Sequence, residues 1–461
     1  MSATNAPVIY ASLLAMLLAA DQAYSANRLA HKRLASHESI IWPRGTEVLR
    51  FENVEGIILL RGTLSGRLEA DTTGPLALDT GAGYLALDLG LARILGLSDS
   101  TVTAEAVDLT DRPLPRLVLG GWTIDQLHPV LTVNGEVVRR VSDRPVLGLL
   151  GQRPLGDRAV WIDYREQVVA MIPAGPVTDE GGFSLADSIP DPRRERAARD
   201  SSLARSHALL SGTLSARVTP VHFRLVGDGK ILVHGAVADP VPPDYSRRLN
   251  LLVDTGATKC VLFEDAIETA VRHAGRWPSL RGLVAPTLIG TAAARIALIP
   301  VFEIEAARGR LREGAVDVGL IRSELSQVLS RVTHETIHGL IGYSFLKRFR
   351  VAVDYPNRVL WLDPIPNYRD DRPLEYCHVG LQLERQRGAV VVMGVVEGSP
   401  AARAGITLGD EVVALDGTRA QELDLLALTR RMEGQPGRRL TLVIRRNAIE
   451  RTVRLVRRRL L

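Results

Sequence analysis

The sequence has few cysteines, few lysines and few aromatic residues. Its two cysteines, Cys260 and Cys377, cannot build a disulfide-dense scaffold, so we expect two buried free thiols. Only four of the 57 basic residues are lysine, and the basic residues mostly alternate with acidic ones. The formal charge of +5 therefore does not indicate nucleic-acid binding. An apolar fraction of 46% with 5% aromatics is that of an ordinary soluble globular protein.

Long hydrophobic runs are also scarce. The N-terminal one, Val8 to Ala20, is shorter than a membrane span and has the length of a signal-peptide core, with small residues after it. No Lys or Arg precedes it. Although a signal peptide usually has a basic residue there, we expect residues 1–49 to hold a leader, either a signal peptide or a membrane anchor, and an N-terminal extension. A buried helix is the alternative. This favours a periplasmic, cell-envelope or secreted location and leaves a cytoplasmic one open.

An internal repeat is the most informative feature that is present. The segments Asp79 to Ala82 and Asp254 to Ala257 both read Asp-Thr-Gly-Ala, and each follows an apolar strand. Each is followed by a second matching element, Gly148 to Gly151 and Gly339 to Gly342. Two elements that recur in the same order predict two homologous lobes. With 461 residues, 40 Gly and 25 Pro, the chain is expected to have two to four domains rich in short strands.

The repeated triplet has a chemical rationale. Two carboxylates held a few ångströms apart share one proton, because both cannot easily be ionised side by side. This makes one of the pair a base and the other an acid. Gly81 and Gly256 allow close approach of the backbone. Thr80 and Thr255 supply short hydroxyls for a buried hydrogen-bond network between the lobes.

These motifs resemble those of the retropepsin-type aspartic peptidases, in which a hydrophobic-hydrophobic-Gly loop supports the Asp loop. The resemblance implies a mostly β fold with two acid-protease β-barrel lobes, at residues 50–174 and 208–367, joined by a linker at 175–207. It implies catalytic residues Asp79 and Asp254, supported by Thr80, Gly81, Ala82, Thr255, Gly256 and Ala257, with no cofactor and no metal. The function it implies is an aspartic-type endopeptidase acting on polypeptides. A non-catalytic peptide-binding scaffold is the alternative.

Two details of the lobes carry further expectations. Pepsin-like enzymes tend to have Ser or Thr where this chain has Ala82 and Ala257, so we expect the carboxyl pair to titrate higher than a hydroxyl-supported one. For the hairpins that cover the cleft, residues 98–109 hold no glycine, whereas Gly290-Thr291 could form a tip within residues 288–298. Gly120-Gly121 is assigned to the next hairpin of the first lobe.

One rival motif is present. The segment His334 to His338 reads His-Glu-Thr-Ile-His, the zinc-peptidase pattern, in which both histidines share one face of a helix. Here it runs directly into the repeated Gly-Leu-Ile-Gly element, and two β-branched residues lie between the histidines. We therefore predict polar residues leading into a loop, not a metal site.

The C-terminal part, residues 374–461, resembles the PDZ domains of bacterial proteases. Ser-Pro-Ala, Ala-Gly-Ile and Gly-Asp-Glu-Val follow one another in the order of that family. The resemblance implies a carboxylate-binding loop at Val379, Gly380 and Leu381, with Leu383 shaping an apolar pocket together with helix residues Leu425 and Leu428. The expected partner is a carboxyl-terminal or extended peptide that adds as a strand.

Overall fold

A computed structural model describes residues 40–67, 71–97, 108–110, 112–133, 145–175, 192–240, 243–265, 267, 277–287 and 290–461. These residues are mostly β-strand. The apolar run of the expected leader lies outside them, as does the first cleft-covering segment at 98–107. Within the part that is described, no helix is long and apolar enough to cross a membrane.

The first half of the chain is a succession of short strands. They are Glu47–Arg50 (β1), Glu52–Val54 (β2), Ile57–Ser65 (β3), Asp71–Leu78 (β4), Leu85–Asp88 (β5), Asp108–Thr110 (β6), Leu114–Leu119 (β7), Trp122–Leu127 (β8), Val130–Val133 (β9), Gly148–Leu150 (β10), Arg158–Asp163 (β11) and Val168–Pro173 (β12). A helix, Leu89–Ile94 (α1), follows β5, and its N-cap Asp88 accepts hydrogen bonds from two backbone N–H groups of the first turn. A 3₁₀ turn spans Arg153–Leu155.

The second half repeats this order. A helix, Pro192–Leu210 (α2), precedes the strands Thr219–His222 (β13), Arg224–Val226 (β14), Lys230–Pro240 (β15), Pro243–Tyr245 (β16), Leu249–Val253 (β17), Cys260–Phe263 (β18), Ser279–Thr287 (β19), Gly290–Glu305 (β20), Arg310–Ile321 (β21), Gly339–Ile341 (β22), Phe349–Asp354 (β23) and Val359–Pro364 (β24). Two helices flank β22, namely Leu325–Thr333 (α3) and Tyr343–Leu346 (α4).

Each half builds one nine-stranded sheet, which we call lobe one (β2–β10) and lobe two (β14–β22). The corresponding strands pair in the same way, because β10 lies parallel to β4 as β22 lies parallel to β17. The two lobes share one large core cluster of buried aliphatic and aromatic side chains. The β7–β8 hairpin turns at Gly120-Gly121, as predicted from the sequence.

A third sheet joins the two halves. Its six strands run in the order β1-β12-β11-β23-β24-β13, so each half supplies three. β11 and β23 pair antiparallel at its centre, with Trp161 opposite Ala352. Because strands of both halves pair in this one sheet, it fixes the position of one lobe against the other.

The predicted linker at 175–207 is largely helical where it is described. α2 occupies most of it, and Leu210 packs with Trp161 and Trp361 on one face of the joining sheet. Ser206 accepts a hydrogen bond from the indole N–H of Trp361 at 2.8 Å. The segment therefore covers the shared sheet, which its polar composition did not reveal.

The C-terminal unit is a separate small sheet with its own core. Its elements are Cys377–His378 (β25), Leu381–Gln386 (β26), Ala389–Val395 (β27), Pro400–Arg403 (α5), Glu411–Leu415 (β28), Thr418–Arg419 (β29), a 3₁₀ turn at Ala420–Glu422, Leu425–Met432 (α6), Arg439–Arg446 (β30), Ile449–Val456 (β31) and Arg458–Arg459 (β32). The sheet order is β26-β27-β28-β30-β31, so β26 is an edge strand.

Candidate functional site

Asp79 and Asp254 occupy equivalent positions at the ends of two buried strands. Asp79 follows β4, and its backbone N–H donates to the carbonyl of Leu150 in β10 at 3.0 Å. Asp254 follows β17, and its N–H donates to the carbonyl of Ile341 in β22, also at 3.0 Å. The repeated hydrophobic-hydrophobic-Gly element therefore supports each Asp loop in the way the sequence predicted.

The two threonines join the Asp loops across the lobes. The hydroxyl of Thr80 accepts from the N–H of Thr255 at 3.1 Å and donates to the carbonyl of Val253 at 3.0 Å. The hydroxyl of Thr255 accepts from the N–H of Thr80 at 3.0 Å and donates to the carbonyl of Leu78 at 2.9 Å. Both threonines are fully buried. This reciprocal set holds the two carboxyl groups at a fixed separation.

The glycines after the threonines allow the carboxyl groups to meet. The N–H of Gly81 donates to Asp79 Oδ1 at 2.8 Å, and the N–H of Gly256 donates to Asp254 Oδ1 at 2.9 Å. A Cβ on Gly81 would lie 2.6 Å from Cγ of Asp254, and one on Gly256 would lie 2.8 Å from Cγ of Asp79. Each glycine is therefore required by the carboxyl group of the opposite lobe.

The electrostatics favour a shared proton. Burial raises the pKa of Asp79 to about 6, although the hydrogen bond from Asp254 works in the opposite direction. Burial and the neighbouring charge of Asp79 together hold the pKa of Asp254 well above its usual range. The raised pKa values of both carboxyl groups mean that the pair retains a proton to higher pH than two separate carboxyl groups would. The pair offers one donor and one acceptor to a polar group in the cleft.

Ala82 and Ala257 are both buried beside the pair. Ala82 contributes a backbone N–H to Asp79 Oδ1 at 3.2 Å, and neither side chain can donate a hydrogen bond. Burial is the largest cause of the raised pKa values of the carboxyl pair, so the effect of the two alanines on its titration stays a prediction.

Sequence reasoning missed a buried cation near the pair. Lys230 is 1% exposed and contacts Asp228, while its charge lowers the pKa of both Asp79 and Asp254 against the larger effect of burial. Lys259 and Lys347 are buried in ion pairs as well. The rarity of lysine in an arginine-rich chain could have indicated these positions, because Lys230, Lys259 and Lys347 are all buried.

The zinc-peptidase pattern does not form a metal-binding helix. α3 ends at Thr333, and His334 has a left-handed φ of 55° directly after it. His338 lies outside the helix, where its Nδ1 accepts from the N–H of Asn250 at 3.0 Å. No group of potential metal ligands occurs among the residues that the structure describes.

A groove in the C-terminal unit lies between the edge strand β26 and α6. Leu381, Leu383 and Leu425 line the cavity there. Leu428, which was expected to shape the pocket, is buried in the core of the unit, whereas Thr429 faces the cavity. The side chain of Val379 is also buried in that core, so its predicted place in the carboxylate-binding loop concerns its backbone only.

The predicted carboxylate-binding loop has one N–H already engaged. Gly380 has a φ of +88°, and a Cβ there would lie 2.2 Å from that of Ser399, so glycine is required. Its N–H donates to Nδ1 of His378 at 3.0 Å, and its carbonyl accepts from Val396 at 2.9 Å. Burial lowers the pKa of His378 to about 4, which keeps that nitrogen an acceptor at neutral pH.

Residues 378–456 match the family model of the PDZ domain. This unit is a PDZ domain. Carboxyl-terminal-processing peptidase 3, chloroplastic, of Arabidopsis thaliana is 39% identical over 75 residues, which make up 16% of this chain and 14% of that protein. The chain thus spans well under two thirds of that relative.

Two solved structures are also similar in part. The PDZ domain of a carboxy-terminal protease from Vibrio cholerae, in complex with a peptide, is 20% identical with a TM-score of 0.17, over 18% of this chain and 93% of that chain. Basic 7S globulin from soybean is 8% identical with a TM-score of 0.37, over 70% of this chain and 95% of that chain. At these TM-scores neither structure defines the fold of the whole chain.

The expected function, an aspartic-type endopeptidase, is wrong. The similar Arabidopsis protein is a carboxyl-terminal-processing peptidase. Because that protein is a peptidase, it gives no support to the alternative of a non-catalytic peptide-binding scaffold. The error arose because two Asp-Thr-Gly triplets predict how a pair of carboxyl groups is held, whereas the reaction depends on the whole site. A mostly β chain with a PDZ domain remains correct.

Proposed function

We propose that this chain is a PDZ-containing protease that processes polypeptides near their carboxyl termini. In this proposal the PDZ groove binds the terminal segment of the polypeptide. The similarity to an Arabidopsis carboxyl-terminal-processing peptidase supports this choice of substrate. The observation that carries the proposal is the unpaired edge of β26, which faces α6 across a cavity with an apolar lining.

The groove has the features that strand addition needs. β26 pairs only with β27 in the described part of the chain, which leaves its other backbone edge available to an extended peptide. Leu381 and Leu383 point into the cavity from the strand, and Leu425 and Met432 reach it from the helix. A peptide lying there would gain backbone hydrogen bonds from β26 and apolar contacts from both walls.

The two lobes are proposed to have the retropepsin-like fold, at residues 50–174 and 208–367. Asp79 and Asp254, whose carboxyl groups approach each other where the lobes meet, are proposed as a candidate functional pair. The threonines and glycines of the two Asp loops support them, together with Ala82 and Ala257. An N-terminal leader and an envelope, periplasmic or secreted location complete the proposal.

The test is the cleavage of a protein whose carboxyl-terminal residues are varied. Wild-type full-length chain is incubated with a substrate that ends in apolar residues and with the same substrate ending in acidic ones. Leu383→Asp places a charge in the groove, and Asp254→Asn removes one of the two carboxyl groups. Asp125→Asn is the matched control, because Asp125 is 61% exposed in a surface ion pair with Arg116.

We expect cleavage that depends on the substrate terminus, is reduced by Leu383→Asp and is unchanged in Asp125→Asn. Reduced cleavage by folded Asp254→Asn would support a contribution of the carboxyl pair. Cleavage that ignores the substrate terminus would refute the role of the groove. Cleavage that persists in folded Asp254→Asn would remove the two aspartates from the proposal.

A further inference from the structure

The PDZ groove is not bounded by the PDZ domain alone. One side of its cavity is lined by Leu280, Leu283 and Ile296, which belong to the β19–β20 hairpin of lobe two. All three side chains are buried. The wall that an incoming peptide would meet opposite β26 and α6 is therefore part of the other domain.

Backbone contacts attach this hairpin to the PDZ sheet. The side-chain amide of Gln382 accepts from the N–H of Val284 at 3.1 Å and donates to its carbonyl at 2.8 Å. The N–H of Glu397 donates to the carbonyl of Arg281 at 3.0 Å. Gln382 lies in β26, the strand that a peptide would extend. A shift of the hairpin therefore acts directly on the binding strand.

A glycine permits this approach. Gly282 has a φ of +83°, and a Cβ there would lie 2.2 Å from the carbonyl oxygen of Val395. Around this point Leu280, Leu283 and Ile296 form an apolar cluster with Val396 of the PDZ domain. The junction thus combines specific hydrogen bonds with a continuous apolar surface.

The charged residues at the other end of the cavity form ion pairs with one another. The guanidinium of Arg372 contacts the carboxylates of Glu55 and Glu433 and lies 3.4 Å from that of Glu375. Arg430 on α6 lies 2.8 Å from the carboxylate of Glu55 in lobe one. Since these charges are already paired, the surface left for a ligand side chain is the apolar one.

We propose that the cavity between β26, α6 and the β19–β20 hairpin is a composite site for the apolar last residue of a polypeptide, with one wall built by lobe two. Its occupancy holds the hairpin against the PDZ domain. This rests on the proposed function in one respect, namely that a carboxyl-terminal peptide is the ligand of the groove. In the composite site, lobe two contacts the last residue of the peptide together with the PDZ domain.

The test measures binding of a short fluorescein-labelled peptide to the full chain by anisotropy. The peptide ends in leucine, and a matched peptide ends in glutamate. Ile296→Ala shortens the wall from lobe two, and Leu383→Ala shortens the wall from the PDZ domain. Ile299→Ala is the control, because Ile299 lies on the same strand, is fully buried in the main core and does not line the cavity.

We expect the leucine peptide to bind and the glutamate peptide to bind more weakly. Ile296→Ala and Leu383→Ala should each weaken binding about tenfold, as expected when roughly 1.4 kcal/mol of apolar contact is lost, whereas Ile299→Ala should not. Hydrogen exchange of the wild type gives an independent readout. The N–H of Val284 should exchange more slowly when peptide is bound, because the hairpin is then held against Gln382.

Different results would overturn the proposed function and the composite site. No binding of the leucine peptide by the wild type would overturn the proposed function and the composite site together. Binding that depends on Leu383 but is unchanged in Ile296→Ala, with no change in exchange at Val284, would overturn the composite site alone.

Discussion

Replacing Asp79 with asparagine should stabilise the protein at alkaline pH. Asp79 is 1% exposed, and its Oδ1 accepts hydrogen bonds from the N–H groups of Gly81 and Ala82. An asparagine of the same shape retains that acceptor but carries no charge. The substitution therefore removes the cost of ionising a buried carboxyl group while keeping the local hydrogen bonds.

The magnitude follows from the pKa. Burial raises the pKa of Asp79 from the usual 3.8 to about 6. Between these pH values Asp79 is protonated in the folded protein and ionised in the unfolded chain, so the stability of the wild type falls as the pH rises. The contribution of Asp79 to the free energy of unfolding is complete below pH 3.8 and is lost as the pH rises through about 6. The full difference corresponds to about 3 kcal/mol.

Urea unfolding of the wild type and of Asp79→Asn, from pH 3.5 to pH 8, measures this directly. The free energy of unfolding of Asp79→Asn minus that of the wild type should increase by about 3 kcal/mol as the pH rises through this range, mostly below pH 7. Asp125→Asn, at an exposed position, should show no such gain. A difference between Asp79→Asn and wild type that is independent of pH, or that falls with rising pH, would refute the reasoning.

Three further perturbations test other parts of the structure. Thr80→Val and Thr255→Val should each lower the free energy of unfolding in denaturant by about 2–4 kcal/mol, since each leaves a buried N–H and a carbonyl unpaired. Fully additive losses in the double variant would contradict the reciprocal network. Gly282→Val should speed hydrogen exchange in β19, because its Cβ would meet the carbonyl of Val395, and unchanged exchange there would count against the tight junction. Burial raises the pKa of Glu55 to about 7, so Glu55→Gln should gain stability relative to the wild type as the pH rises from 5 to 8, and a loss over that range in thermal unfolding would show that its ion pairs dominate.

The position of the Asp loops was predictable from local pattern. An apolar strand before each triplet and a Gly-Leu-(Leu/Ile)-Gly element after it are enough to place Asp79 and Asp254 at strand ends. The PDZ domain was predictable for the same reason, because its turns carry short motifs in a fixed order. Leu428 shows the limit of prediction from local pattern, because it was assigned to the groove and lies in the core of the PDZ domain. An apolar residue on an amphipathic element faces either the groove or the core, and only packing decides between them.

The helix at 192–210 was not predicted because its stripe of core contacts is narrow. Few apolar residues mark the face that packs on the joining sheet, and arginine, alanine and serine dominate the rest. Its place on the sheet is set by Trp161, Trp361 and Leu210, which come from three distant parts of the chain.

The sequence by itself determined the two-fold repeat, the chemical identity of the carboxyl pair and the presence of a C-terminal PDZ domain, because each depends on residues that are near neighbours along the chain. Only the tertiary structure decided that Gly81 must be small for the sake of Asp254, and that Lys230 lies buried near the pair. It alone decided that Leu283 and Ile296 of lobe two line the PDZ groove. These relations join residues of different lobes or domains, and their distances depend on how the sheets pack, which no local pattern encodes.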